Sequence, residues 1–213
     1  MSNFTQRMFV AALAVASLTP LAAAQAPDVE FDLHPNPKFV ACLGATGGPA
    51  PTAHVTVKRN NRNETLTIEG NNIRPDLAFD MFTIEKTNLL SDGSANAGFN
   101  GSFGLAHYQS DLKADRQGHF KTTIRTVLLD DIFSFDPDVT LAPVNTFHVG
   151  FWFDNPSDAN ANGCTFDITK ATPFNGIHNA GPVAMISVPD ADTNLGPLCT
   201  NPNLGTNPVS CTP

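Results

Sequence analysis

Oxygen-bearing side chains at every second position, closed by a glycine, form the clearest chemical pattern in this chain: Asp158-Ala159-Asn160-Ala161-Asn162-Gly163. Short loops wrap Ca2+ in this way, with carboxylate and amide oxygens as hard ligands and glycine allowing the sharp turn. Asp154 and Asp167 flank the loop, so the candidate Ca2+ ligands are Asp154, Asp158, Asn160, Asn162 and Asp167. The acidic residue that completes an EF-hand is missing, since Thr169 stands at that position. A plain surface turn rich in Asn and Gly has the same composition, and the incomplete ligand set weighs toward it. The group Asp130, Asp131, Asp136 and Asp138 admits the same two readings, a cation site or solvated loop carboxylates.

The chain enters this loop through Thr146-Phe-His-Val-Gly-Phe-Trp-Phe-Asp154. In an extended strand Phe147, Val149, Phe151 and Phe153 share one face, and His148, Gly150, Trp152 and Asp154 share the other. The expectation is a half-buried strand with Trp152 and His148 on its polar side. Trp152, His148 and Tyr108 are then candidate ligand-binding residues, because a ring with an apolar body and a polar tip suits a sugar. Trp152 fits equally well into a second hydrophobic layer beneath a loop.

Other chemistry needs residues brought together from a distance. The six histidines, His34, His54, His107, His119, His148 and His178, are scattered and include no His-x-His strand chelate. Separate surface or hydrogen-bonded imidazoles are the plainer reading, against a three-histidine metal centre. Asp111 with Asp154, or Asp80 with Glu85, would serve glycoside hydrolysis only at a suitable separation. The chain has no Gly-x-Ser-x-Gly elbow, His-Glu-x-x-His pair, phosphate-binding Gly-x-x-x-x-Gly-Lys or dinucleotide Gly-x-Gly-x-x-Gly.

The elements that must position these residues are short strands. Val55 and Val57 alternate within Ala53–Lys58, Leu66 and Ile68 within Glu64–Glu69, and Phe120 to Leu128 at every second position within His119–Leu128. Arg59–Asn63 and Ala114–Gly118 are hairpin turns by composition, the second with Gly118 at a positive-φ position. Further strands are expected at Lys38–Leu43, Leu77–Glu85, Gly104–Leu112, Thr165–Thr169 and Pro182–Val188. Asp130–Phe135 is expected to form one helical turn. Pro27–Pro37 reads as a loose extended lead-in, Thr87–Phe103 as a long loop, and the chain from about Pro189 as a surface tail. Eight or nine short strands and no amphipathic helix predict an all-β, antiparallel β-sandwich of jelly-roll or immunoglobulin-like type.

Composition sets the surroundings. Arg7, the apolar run Met8–Leu21 and the small residues Ala22 to Ala26 have the layout of a secretory signal peptide over residues 1–26. The run is too short for a comfortable membrane span. Residues 27–213 then form one domain, secreted or periplasmic, and loss of Arg7 takes the net charge of −8 to about −9. Such an acidic chain repels phosphate backbones and anionic lipid, so nucleic acid and membrane insertion are not expected. Cys42, Cys164, Cys199 and Cys211 make an even set for disulfides in an oxidising compartment, with Cys42–Cys164 and Cys199–Cys211 the preferred pairing of the three possible.

Together these features predict a non-catalytic binding or structural protein. Its expected partner is an extracellular glycan or another envelope protein, with Ca2+ as a stabilising ion. A secreted hydrolase or metal-dependent enzyme using His148, His107 and nearby aspartates is the competing reading.

Overall fold

Alternation of apolar and polar residues builds one curled sheet. The computed structural model describes residues 29–58, 64–127, 146–169, 180–199, 202–203 and 210–211. Its main strands are β1 (Val29–Pro35), β2 (Thr52–Lys58), β3 (Glu64–Asn71), β4 (Ala78–Ile84), β5 (Ala106–Lys113), β6 (Phe120–Val127), β7 (Thr146–Phe153) and β8 (Val183–Ser187). They run antiparallel in the order β5-β4-β7-β8-β1-β2-β3-β6. The two end strands, β5 and β6, are joined by a hairpin and lie beside each other, so the sheet is a nearly closed barrel. The expected all-β, antiparallel architecture is present. The expected pair of facing sheets is not, because all eight strands share one ladder system that bends back on itself.

Inward-facing side chains fill the barrel. Val55 and Val57 of β2, Leu66 and Ile68 of β3, Phe79 and Met81 of β4, and Phe147, Val149, Phe151 and Phe153 of β7 are all buried in one cluster. Phe79 is the centre of its aromatic packing, with ring centroids 4.8 Å from Phe151 and 5.5 Å from Phe153. Each such side chain is worth about 1.5–3 kcal/mol of burial, so the Phe-rich β7 is a main contributor to the core.

Several expectations are corrected. Residues 29–35 are not a loose lead-in: β1 is an interior strand, paired with β2 and β8, because Val29 and Leu33 add two buried side chains to the barrel. Lys38–Leu43 is not a strand. Asn36 O accepts the N–H groups of Phe39 (2.9 Å) and Val40 (3.1 Å), which starts the helical turn α1 (Val40–Leu43). Thr165–Thr169 is also not a strand, since Phe166 spends its backbone N–H and C=O on the Asn160 side chain. The short helix α2 (Asp158–Ala161) precedes it. The expected Cys42–Cys164 disulfide is formed and ties the end of α1 to the segment after α2.

The remaining elements are small. β9 (Leu198–Cys199) pairs with the start of β7, so the tail is attached there, and β10 (Pro202–Asn203) pairs with β11 (Ser210–Cys211). The side chains of Cys199 and Cys211, residues 1–26, the Arg59–Asn63 turn, the Asp130–Phe135 segment, Asp136, Asp138 and His178 lie outside the described residues. No helix among the described residues is long and apolar enough to cross a membrane.

Candidate functional site

The expected half-buried strand is buried on both faces. All eight residues of β7 are buried, and the reason is the Thr87–Phe103 loop. Its side chains Leu89 and Phe103, with Phe99 packed alongside, cover the outward face of the barrel over Phe82, Ile84, Trp152, Val183 and Ile186. Side-chain capping holds the loop in shape. Asp92 Oδ1 accepts the Ser94 N–H (2.8 Å), Asn96 Oδ1 that of Gly98 (2.9 Å), and Asn100 Oδ1 that of Ser102 (3.1 Å). Three Asx turns four residues apart thus add to the short backbone pairing of Leu89 with Ala95.

Trp152 is therefore not an exposed platform. It is 1 % exposed and sits in an aromatic row on the outward face. Ring centroids run from Tyr108 to Phe82 (5.7 Å), Phe82 to Trp152 (5.3 Å), Trp152 to Phe103 (5.1 Å) and Phe103 to Phe99 (4.8 Å). Edge-on contacts of this kind are worth about 0.5–1.5 kcal/mol each beyond simple burial. The second hydrophobic layer beneath a loop is what the structure shows for Trp152.

Two clefts flank the loop. The larger, about 710 Å3, has Trp152, Phe103, Phe99, Phe39 and Phe166 among its lining residues, with Asn36, Asn88, Asn96, Lys38 and Asp167 among its polar ones. Asn36 is already committed, donating from Nδ2 to Val183 O and accepting from the Lys38 N–H. Asn88 is different: its Oδ1 is buried and has no donor among the described residues. Asn96 spends Oδ1 on Gly98 and keeps its Nδ2 for a further acceptor.

The smaller cleft, about 300 Å3, is lined by Glu85, Lys86, Thr87, Asn100, His148 and Asn194, and shares Asn96 and Phe99 with the larger one. His148 is 3 % exposed, and its Nδ1 lies 3.0 Å from Ser187 Oγ. That oxygen also accepts the Val149 N–H at 3.2 Å. Which atom of the pair donates is set by the imidazole tautomer. Burial pushes His148 down from 6.5 to about 4, so the imidazole is neutral near pH 7. Glu85 is also buried, its Oε2 accepting the Leu105 N–H at 3.1 Å.

The candidate Ca2+ ligands are only partly brought together. Asp158 is raised by burial and by the charge of Asp154, so Asp158 feels that neighbouring carboxylate. Asn160 is bound to Phe166, Asn162 donates to Asp158 O, and Asp167 accepts from the Thr169 N–H and hydroxyl. No group of three or more His, Cys, Asp or Glu able to hold a metal occurs among the described residues.

Of the other candidates, Tyr108 is 55 % exposed at the end of the aromatic row and donates to Asp111 Oδ1 at 2.6 Å. Its phenol is pushed up to about 12 by burial, by that hydrogen bond and by the charges of Asp111, Asp80 and Asp154. His107 pairs with Thr83, a neighbour of inward-facing Val149, whereas His148 pairs with outward-facing Ile84. The two histidines thus point to opposite faces of the sheet and cannot share a metal. Asp80 and Glu85 are five strand residues apart, about 17 Å, too far for paired carboxylate chemistry. Asp80 faces Asp111 across β4 and β5 instead.

Phe99, Phe103, Asn88, Asn96 and Glu85 were not singled out from the sequence. The Asx residues repeating every four positions through 92–100 were the available signal. No protein-family model, no curated protein and no solved structure matches this chain.

Proposed function

We propose that the protein is an exported, non-catalytic binding protein whose ligand-contacting surface is the larger cleft, and that its ligand is a neutral, hydroxyl-rich molecule of the glycan class. The observation that carries this reading is a cleft lined by Trp152, Phe103 and Phe99 together with the amides of Asn36, Asn88 and Asn96. Asn96 Nδ2 has no acceptor among the described residues, whereas Asn88 Oδ1, also without a partner there, is closed to solvent. A ligand hydroxyl would accept from the Asn96 amide, a bond worth about 0.5–1.5 kcal/mol. Mostly apolar walls with a few convergent polar groups are the usual make-up of a small-molecule site. Export is supported by the N-terminal Arg7–Ala26 pattern and the Cys42–Cys164 disulfide.

The Ser187–His148 contact is the one feature that favours a hydrolase. Ser187 is 1 % exposed and its Oγ already accepts the Val149 N–H, so no acyl carbon reaches it. The pair is better read as structural. Calcium, if it is taken up, rests on Asp154 and Asp158 alone, and a thermal melt with and without chelator tests it; unchanged melting removes calcium from the reading.

Trp152 is the only tryptophan in the chain, so its fluorescence reports on the cleft directly. Titration with neutral oligosaccharides is expected to give a saturable change in emission that Phe99→Ala abolishes. Emission that stays flat across cello-, xylo- and chito-oligosaccharides sinks the proposal.

A further inference from the structure

The smaller cleft has features that the larger one does not explain. A nearly inaccessible imidazole lines it, with Nδ1 paired with Ser187 and Nε2 the other ring nitrogen. Thr87, Asn100 and Asn194 supply further hydrogen-bonding side chains. Glu85 and Lys86 place one charge of each sign beside one another, so the cleft has no net preference for an ion. The acidic chain as a whole disfavours an anionic ligand.

The two clefts belong together. They share Asn96 and Phe99 as lining residues, and both lie along the outward face of β7. His148 and Trp152 occupy that face four residues apart, about 13 Å along an extended strand. That span is longer than a single sugar ring.

We propose that the smaller cleft is a second subsite of the same groove, in which His148 Nε2 shares a hydrogen bond with a hydroxyl of a neutral glycan chain already seated beside Trp152. This rests on the binding reading of the larger cleft. The ligand is thus a chain, and the protein distinguishes it from its monomer by the reach from Trp152 to His148. Asn96 and Phe99, at the junction, contact the linkage between the two occupied units.

The test uses the mature protein and two ladders, cello- and chito-oligosaccharides from monomer to hexamer. Trp152 emission reads the larger cleft, and the His148 ring resonances in NMR read the smaller. Short members are expected to move Trp152 alone. Trimers and longer members are expected to move both and to bind about tenfold more tightly, as one added hydrogen bond allows. His148→Phe is expected to remove the gain with length, and His148→Gln, which retains both a donor and an acceptor, to restore part of it. Lys86→Ala, at a partly exposed position, supplies a second variant that leaves the Ser187 contact in place and is expected to reduce the same gain. Oligomers that shift Trp152 to the same extent at every length and leave His148 unmoved overturn the second subsite while sparing the first. If no member moves Trp152, the larger cleft's assignment fails and this one fails with it.

Discussion

Acidification should destabilise this protein first through the histidines that burial lowers, His148 above all and His107 in the same sense. Burial holds His148 neutral in the folded barrel, down from 6.5 to about 4, while in the unfolded chain the imidazole protonates normally. A folded-state value below the unfolded one means that stability is complete above pH 6.5 and is lost progressively as pH falls toward 4. At about 1.4 kcal/mol per pH unit, that interval removes about 3 kcal/mol, a large share of a typical stability of about 5–15 kcal/mol. The lowered carboxylates also withdraw stability in acid, but only below their ordinary values, 3.8 for Asp92, Asp115 and Asp190 and 4.5 for Glu69. Asp158, which is raised, works in the opposite sense. Urea unfolding of the wild type and His148→Gln in steps from pH 7 to pH 4 separates these contributions, because the variant keeps every carboxylate. The wild type should lose about 3 kcal/mol more than the variant over that range. Parallel stability curves would refute the reasoning, since they would mean that the imidazole protonates without unfolding anything.

Three further outcomes follow from single contacts. Tyr108 is the only tyrosine, so absorbance titration of the phenolate should show one transition near pH 12, and Asp111→Asn should move it back toward 10. The Cys42–Cys164 bridge closes a sequence separation of 122 residues. On the chain-entropy account its removal costs up to about 5 kcal/mol, so the Cys42→Ser/Cys164→Ser double variant should unfold at markedly lower urea. Gly118 has φ +77° in the β5–β6 hairpin, where an added Cβ would run into the Ile73 carbonyl. Gly118→Ala should therefore destabilise by at least about 1 kcal/mol in the same assay.

Much of the barrel was legible because β2, β3, β6 and β7 alternate cleanly, and each pairs where its apolar face requires. β1 was hidden by composition. Val29, Phe31 and Leu33 do alternate, but Asp, Glu, His and Pro surround them, and only pairing with β2 and β8 makes that segment an interior strand. Lys38–Leu43 is short enough that its apolar positions fit either period, and Asn36 decides for helix by accepting two backbone N–H groups. Whether the strands form two sheets or one curled sheet depends on partners far apart in sequence. β1 meets β8 across some 150 residues, as in the Leu33–Ser187 pair, and no local pattern encodes that contact.

The site was legible only as an address. Period two correctly placed His148 and Trp152 on the face opposite the Phe core, but it could not say whether that face meets water. Burial there is decided by Leu89, Phe99 and Phe103, three apolar residues at irregular spacing in a loop that alternation rules cannot interpret. What fixes them is the side-chain chemistry of Asp92, Asn96 and Asn100, each turning the backbone two residues on. The loop is therefore a small folded unit, and its polar residues have two tasks: Asn96 shapes a turn with its oxygen and offers its nitrogen to the cleft. Replacing Asn96 with Asp would keep the turn acceptor and remove that donor. Binding monitored by Trp152 emission should weaken while the melting temperature stays near that of the wild type, and a large fall in melting temperature with binding unchanged would show that the residue serves the loop alone.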